Sequence, residues 1–225
     1  MVLKGLTIEE LASGTNFFAI GDIHGCLFAL ERLLELLPID WGKDYVIFLG
    51  DYIDRGPDSR RVLELLIELK EKYPERVYPI KGNHEWLFER YLRGLDVEVF
   101  LYNGGGETLR NYYEGGSLKI PPSHLEFLRA LPLYVETKDY LFVHGGINPE
   151  KPLDEQEEED LLWIRGLFYY HSGKFEKTII FGHTPFPEVL LLEDRIGLDT
   201  GCVYGGKLSA IKLPEREIFQ VSCRR

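Results

Sequence analysis

Three short apolar runs alternate with two amphipathic segments in the first eighty residues, and this alternation restricts the fold more than any other feature. The apolar runs are Phe17–Ile20, 45–49 and 77–80. Between them, leucine and other apolar residues recur at helical spacing in 27–37 and in 62–69. Strands that alternate with helices in this way form parallel sheets with right-handed crossovers. The pattern therefore predicts an α/β fold whose first strands end at one common edge.

The rest of the chain is richer in strands. Two helical, loop-rich segments are expected between residues 103 and 131, and seven further strands follow them: 133–137, 140–143, 178–181, 189–192, 195–198, 208–213 and 218–221. Asp139 and the pair Glu193-Asp194 fit hairpin turns. We expect a second, mixed sheet that packs on the first with helices outside. This arrangement is a four-layer αββα sandwich of two mixed sheets, built as a single catalytic domain over residues 1–225.

Composition limits the range of partners and compartments. The formal net charge is −11 at pH 7, and nucleic acids are bound through clustered Lys and Arg, so we expect no nucleic-acid partner. No apolar run reaches the roughly 18 residues of a membrane span, and residues 1–11 lack a signal-peptide pattern, so no membrane partner is expected. The odd cysteine count (Cys26, Cys202 and Cys223) predicts no disulfide framework and a reducing, cytoplasmic location.

Residues 154–160 contain six acidic side chains. Such a charge run is typical of a solvated surface loop. The alternative is a flap beside the functional site that repels acidic substrates. The sequence leaves both interpretations open.

Five glycine-containing segments supply side chains that bind metal ions. They are Gly21-Asp22-Ile23-His24-Gly25, Gly50-Asp51-Tyr52-Ile53-Asp54-Arg55-Gly56, Gly82-Asn83-His84-Glu85, His144-Gly145-Gly146 and Gly182-His183-Thr184. Each comes at or just after an apolar run. Because ligands of open α/β sheets bind outside the carboxyl ends of the strands, these distant segments are expected to converge at one site.

Six of these side chains offer enough groups to hold two divalent ions: Asp22, His24, Asp51, Asn83, His144 and His183. Asp22 and His24 are two residues apart, so both can reach one ion from a turn. Asp51 has two carboxylate oxygens and can bridge two ions. Mixed oxygen and imidazole ligands suit several transition metals. We expect two divalent ions, with Mn first and Fe, Zn or Ni as alternatives.

These segments resemble those of the calcineurin-like metallophosphoesterases. Asp51-Tyr52-Ile53-Asp54-Arg55-Gly56 and Gly82-Asn83-His84-Glu85 resemble most the phosphoprotein phosphatase branch, which includes compact bacterial and phage serine/threonine phosphatases. The resemblance runs from about residue 17 to residue 208. The segments at 103–106, 163–165 and 199–201 also resemble those of the compact members.

The resemblance implies a role for each matching residue. One metal would be held by Asp22, His24 and Asp51, and the second by Asp51, Asn83, His144 and His183. His84 would be the general acid, aligned by Asp54. Arg55 and Arg165 would bind phosphate oxygens. Such a site agrees with phosphoryl chemistry, because paired metals activate water, guanidinium groups stabilise the transferred phosphoryl group, and an imidazole can protonate a leaving oxygen.

The leading functional hypothesis is a phosphomonoesterase that acts on phosphoserine or phosphothreonine in proteins, with phosphorylated small molecules as other substrates. The main alternative is a diadenosine tetraphosphatase-like hydrolase of dinucleoside polyphosphates, which shares these motifs. A non-catalytic binding protein is a third possibility. Several tyrosines are available to stack bases: Tyr91, Tyr102, Tyr112, Tyr113, Tyr169 and Tyr170, with Tyr204 matching only approximately an aromatic near the family's substrate site. The sequence specifies neither the substrate nor the oligomeric state.

Overall fold

A computed structural model describes residues 5–9 and 14–224 of the chain, so most of the N-terminal segment 1–11 lies outside the described residues. The strands are β1 (Gly5–Thr7), β2 (Phe17–Ile20), β3 (Tyr45–Phe48), β4 (Val77–Pro79), β5 (Tyr113–Glu114), β6 (Ser117–Leu118), β7 (Tyr134–Glu136), β8 (Tyr140–Val143), β9 (Thr178–Phe181), β10 (Leu190–Leu191), β11 (Arg195–Gly197), β12 (Asp199–Thr200), β13 (Lys207–Leu213) and β14 (Glu217–Ser222). The α-helices are α1 (Leu27–Leu36), α2 (Ser59–Lys72), α3 (Asn83–Leu92), α4 (Val97–Phe100), α5 (Gly106–Tyr112), α6 (Pro122–Ala130), α7 (Glu158–Trp163) and α8 (Gly166–Tyr169).

The predicted βαβ repeat forms the centre of one sheet. Its strand order is β12-β13-β2-β3-β4, and β14 also pairs with β13. Strands β2, β3 and β4 are parallel, as predicted, while β13 runs antiparallel to β2. The carboxyl ends of β2, β3 and β4 therefore lie along one edge, which is where the first three motif segments begin.

The second sheet has the order β1-β7-β8-β9-β11-β10. Both predicted hairpin turns are present, because β7 pairs antiparallel with β8 and β10 pairs antiparallel with β11. Strands β8, β9 and β11 are parallel neighbours. The last two motif segments follow β8 and β9, so they too share one edge.

Side-chain alternation along the strands explains the layering. In β2, Phe17 and Ala19 pack between the sheets with residues such as Ile180 of β9, whereas Phe18 and Ile20 pack against the outer helices. Because successive strand residues point to opposite faces, a fully apolar strand requires apolar partners on both sides. Helices α1 to α3 cover one sheet, and α7 and α8 cover the other. The predicted αββα sandwich is confirmed.

Several features differ from the sequence-based expectation. The short strands β1, β5, β6 and β12 were not predicted, since two or three residues leave no detectable periodicity. The acidic segment 154–160 is not simply a loop, because it contributes to a 3₁₀ turn (Leu153–Glu155) and to α7. Among residues 5–9 and 14–224, no helix is long and apolar enough to cross a lipid bilayer.

The prediction of no disulfide is wrong. Cys202 and Cys223 are joined, with their Cα atoms 5.2 Å apart. Cys202 follows β12 and Cys223 follows β14, and both strands pair with β13, which brings the two cysteines together. Cys26 is buried and takes no part in a disulfide. The pairing depends on strand register, which the cysteine spacing does not reveal, and it removes the basis of the argument for a reducing compartment.

Candidate metal centre and active site

The structure brings the six predicted metal ligands together at the strand ends. All six are buried, at 0–4% exposure: Asp22, His24, Asp51, Asn83, His144 and His183. They come from both sheets, since two of the segments follow β8 and β9 and the others follow β2, β3 and β4. The convergence expected from parallel strands therefore holds across the whole sandwich.

Asp51 lies at the middle of this group. Its Oδ1 is 3.3 Å from Nε2 of His144, and its Oδ2 is 3.5 Å from Nε2 of His24. Oδ2 also lies 3.9 Å from Nε2 of His84. One carboxylate thus faces imidazoles on two sides, which is the position that a bridging ligand requires.

On one side of Asp51, an amide and two imidazoles converge. Oδ1 of Asn83 lies 2.8 Å from Nε2 of His144 and 2.9 Å from Nδ1 of His183. Ligand atoms of Asp51, His144 and His183 all lie within 4.8 Å of one another. Nδ1 of His144 is 2.7 Å from the Leu49 carbonyl oxygen, which fixes the ring orientation. This group has the composition expected of the second metal site.

On the other side, the structure differs in one respect from the ligand set that the resemblance implies. The group with ligand atoms within 4.8 Å is His24, Asp51 and His84. Both oxygens of Asp22 instead accept the His183 backbone N–H, at 3.0 and 3.1 Å. Asp22 therefore lies beside this group of ligand atoms and not within it. By distance alone, His84 is the third potential ligand on this side of Asp51.

The chemistry of this cluster fits a divalent cation. Nε2 of His84 and Nε2 of His183 are buried without a hydrogen-bond partner. Burial lowers the pKa of His24 to about 3 and that of His84 to about 4. Neutral imidazoles carry a free nitrogen lone pair, and leaving such an acceptor buried without a partner costs about 1–3 kcal/mol. A metal ion would satisfy the His183 nitrogen, and either a metal ion or a proton would satisfy Nε2 of His84.

Charge balance supports the same conclusion. Burial raises the pKa of Asp22, to which Asp199 adds repulsion, and burial likewise raises the pKa of Asp199. For His144, burial acts against the charged form, but the Asp51 carboxylate outweighs it and raises the pKa to about 9. A site this rich in carboxylates repels phosphate unless cations offset the charge.

Asp54 holds His84 as predicted. Nδ1 of His84 is 2.7 Å from Oδ2 of Asp54, and both side chains are fully buried. Thr108 donates to the other carboxylate oxygen of Asp54 at 2.5 Å. Burial raises the pKa of Asp54, and the Thr108 hydrogen bond opposes this shift. The contact with Asp54 fixes the His84 ring so that its Nε2 faces Asp51.

Glu85 has a role that the sequence analysis missed. Its Oε2 accepts the backbone N–H groups of Asp51 and Gly82, each at 2.9 Å, and its Oε1 accepts that of Tyr52 at 2.8 Å. Burial raises the pKa of Glu85 to about 7, whereas the N–H donors favour the ionised form. Glu85 thereby ties two motif loops together. Its place in the Gly82–Glu85 motif was the only available signal.

A small cleft of about 180 Å³ opens beside this cluster. It is lined by Asp51, Arg55, Asn83, His84, Asn103, Trp163, Arg165, His183, Pro185, Asp199 and Tyr204. Both predicted phosphate-binding arginines are therefore present. Nη1 of Arg55 lies 2.7 Å from Nε2 of His24, a contact that metal binding at that nitrogen would have to replace. Nη1 of Arg165 donates to the His183 carbonyl oxygen and the Thr184 hydroxyl, each at 3.2 Å.

The aromatic lining differs from the set considered from sequence. None of the six tyrosines expected to be available lines the cleft, whereas Tyr204, Trp163 and Asn103 do. The Arg55 guanidinium lies 5.6 Å from the Tyr204 ring centroid. Asn103 and Asp199 belong to segments noted for their resemblance but were assigned no role.

The backbone is strained where these side chains meet. Of seven non-glycine residues with positive φ in the described part of the chain, five belong to the site: His24, Asp51, Asp54, Arg55 and His183. Each such conformation costs of order 1–3 kcal/mol and persists only when its surroundings enforce it. A Cβ on Gly56 would lie 1.9 Å from the His24 carbonyl oxygen, so the loops also need glycine for close approach. This concentration of strain is typical of a functional site.

Comparison with known proteins agrees with this geometry. Residues 15–210 match the calcineurin-like phosphoesterase family model. The chain belongs to the calcineurin-like phosphoesterase family. It is 32% identical to the bis(5'-nucleosyl)-tetraphosphatase PrpE [asymmetrical] of Oceanobacillus iheyensis, with 92% of each chain covered. It is 27% identical to the protein of the same name from a Geobacillus species, covering 90% of this chain and 92% of that one.

Solved structures extend the comparison. A crystal structure described as a candidate diadenosine tetraphosphatase matches with a TM-score of 0.76 and 26% identity, covering 98% of both chains. A serine/threonine phosphatase from Saccharomyces cerevisiae matches with a TM-score of 0.71 and 17% identity, covering 98% of this chain and 84% of that one. The second likeness shows a shared fold alone.

Proposed function

We propose that this chain is a metal-dependent hydrolase of dinucleoside tetraphosphates that cleaves diadenosine tetraphosphate asymmetrically, to ATP and AMP. The observation that carries the proposal is the match to a protein named bis(5'-nucleosyl)-tetraphosphatase [asymmetrical] over 92% of both chains. The buried His/Asp/Asn cluster and its two arginines supply the chemistry that such a reaction needs.

Two divalent ions would be held by Asp22, His24 and Asp51 on one side and by Asp51, Asn83, His144 and His183 on the other. Bound there, they would supply positive charge for the phosphates and lower the pKa of a water molecule. Arg55 and Arg165 would bind phosphate oxygens and stabilise the charge that develops during in-line displacement.

His84 would hold a proton at the leaving oxygen. Its Nδ1 contact with Asp54 fixes the ring, and the carboxylate stabilises the imidazolium that forms when Nε2 takes up a second proton. The leaving group of a phosphoanhydride is a phosphate oxygen, which accepts negative charge more readily than the alkoxide of a phosphoserine. The demand on His84 is therefore smaller for the proposed substrate than for a phosphoprotein.

The substrate class is tested by measuring kcat/KM for diadenosine tetraphosphate and for a phosphoserine peptide on the same Mn²⁺-loaded preparation. We expect the nucleotide to have the higher value. A higher value for the peptide would contradict the proposal.

The metal centre has its own test. Asp51→Ala should lower the metal content of the purified protein at both sites, because Asp51 faces both groups of imidazoles. Asp139→Ala is the control, since Asp139 is an exposed aspartate in the β7–β8 turn. Two ions per chain in the Asp51 variant would refute the bridging assignment.

A further inference from the structure

A second pocket lies beside the catalytic cleft, and nothing in the proposed reaction uses it. Its volume is about 380 Å³, and its walls include Trp86, Val99, Leu162 and Trp163, with Asp96 and Glu159 at the polar positions. We call it the tryptophan pocket. It combines residues from α3, α4 and α7 with the loop before α4.

The two cavities differ in size and suit different parts of a substrate. Pockets for small organic ligands usually measure about 300–1,000 Å³. The catalytic cleft, at about 180 Å³, lies below this range, whereas the tryptophan pocket lies within it. The cleft is thus of a size suited to phosphate groups, and the tryptophan pocket is of a size suited to a nucleoside attached to them.

Trp163 connects the two cavities, because it lines both. Its ring centroid is 5.9 Å from that of His183 in the metal cluster and 6.2 Å from that of Trp86. When a phosphate of the substrate lies near His183, only the Trp163 ring separates it from the tryptophan pocket. The two cavities are therefore neighbours that share the Trp163 ring as a wall.

The walls of the pocket suit a nucleobase. Two indoles with Val99 and Leu162 provide aromatic and apolar surface, and base–aromatic stacking is independent of sequence. Trp86 is held in place, since Nε1 donates to Glu158 at 2.9 Å and the Arg90 guanidinium lies 4.6 Å from the ring centroid. A rigid aromatic surface loses little entropy when a ligand stacks on it.

The polar groups of the pocket are carboxylates. Asp96 is paired with Arg90, and Glu159 is exposed. Neither Lys nor Arg lines the pocket, so it does not favour another phosphate. An exposed carboxylate accepts hydrogen bonds from an exocyclic amino group such as that of adenine.

We propose that the tryptophan pocket binds one nucleobase of the dinucleoside polyphosphate, with a preference for bases that carry an exocyclic amino group. This inference rests on the proposed function and names the part of the chain that recognises the nucleoside. It also gives the acidic segment a role, because Glu158 and Glu159 position the indole and contact the base.

Two valines of α4 provide a matched test. Val99 lines the pocket and is 46% exposed, whereas Val97 lies outside the lining and is 37% exposed. Val99→Glu places a charged chain in the pocket, and Val97→Glu adds the same charge to the same helix. For each variant, the ratio of kcat/KM on diadenosine tetraphosphate to kcat/KM on p-nitrophenyl phosphate is compared with wild type.

We expect Val99→Glu to lower this ratio about tenfold or more, the factor that one stacked base contributes. Val97→Glu should stay within about twofold of wild type. Equal ratios in the two variants would overturn the inference, even when wild type cleaves the nucleotide. Absence of cleavage by wild type would instead refute the proposed function.

A binding measurement decides the inference without turnover. Trp86 and Trp163 are two of only three tryptophans in the chain, and a Trp41→Phe background leaves their fluorescence alone. AMP should quench this signal, whereas ribose 5-phosphate, which lacks the base, should not. Trp86→Leu in the same background should weaken AMP binding about tenfold. Equal quenching by both ligands, or unchanged affinity in the variant, would contradict a nucleobase site.

Discussion

Replacing Glu85 by glutamine should loosen the metal centre without touching a proposed ligand. The carboxylate accepts four backbone N–H groups, from Asp51, Tyr52 and Gly82 at 2.8–2.9 Å and from Ile53 at 3.4 Å. Glutamine has one acceptor oxygen in place of two, and its amide nitrogen cannot accept. At least one of these N–H groups is therefore left unpaired in a fully buried position.

The size of the effect follows from that loss. One orphaned buried donor costs about 1–3 kcal/mol, a sizeable part of a typical total stability of about 5–15 kcal/mol. With a urea m-value of about 2 kcal/mol/M, the denaturation midpoint should fall by about 0.5–1.5 M. Glu85→Ala orphans all four donors and should lower the free energy of unfolding more than Glu85→Gln does.

Urea denaturation and metal analysis of the same preparations provide the assay. Glu188→Gln is the control, because Glu188 is exposed and pairs with the Lys207 ammonium at 2.9 Å. Glutamine keeps an acceptor for Lys207, so the control should change stability by at most about 1 kcal/mol. Glu85→Gln should also bind metal more weakly. A Glu85→Gln variant with wild-type stability and full metal content would refute this reasoning.

Three further measurements test other parts of the structure. His84→Ala should lower kcat about 10²–10⁴-fold with metal content retained; parallel loss of metal would make His84 a ligand, as its position beside Asp51 allows. Cys223→Ser opens a disulfide across 21 residues from Cys202 and should lower the free energy of unfolding by about 3 kcal/mol; an unchanged urea midpoint would exclude the disulfide. Burial lowers the pKa of His124, whose Nδ1 lies 2.7 Å from the Tyr112 hydroxyl oxygen. As pH falls below the ordinary histidine pKa, the unfolded chain binds a proton at His124 before the folded protein does, and this stabilises the unfolded state. The stability advantage of wild type over His124→Phe should therefore narrow between pH 7.5 and 5.5, and a widening gap would contradict the shift.

The sequence was sufficient to predict the architecture because the strands are apolar on both faces. Runs such as Phe17–Ile20 and 179–181 are apolar at every position, so both of their faces have to be covered inside a layered sandwich. The convergence of the six ligands followed from strand direction alone. Each of those residues lies within four residues of the end of a predicted strand, and no side-chain detail was needed.

The parts that were missed depend on contacts between segments distant in sequence. Thr108 reaches Asp54 from α5, and no local pattern identifies it. The Cys202–Cys223 pair requires the register of β13 with its two neighbours. The substrate class was left open for the same reason: the motifs specify phosphoryl transfer, which both substrate classes share. The tryptophan pocket is assembled from residues such as Trp86 and Val99 that belong to no phosphate-binding pattern.

The central claim is most directly tested by identifying the products formed from diadenosine tetraphosphate. The metal-loaded protein is incubated with the nucleotide, and the products are separated by anion-exchange chromatography over the first few per cent of turnover. The proposed function predicts ATP and AMP in equal amounts from the earliest time point. ADP as the sole product, or no cleavage by a preparation that hydrolyses a phosphoserine peptide, would contradict it.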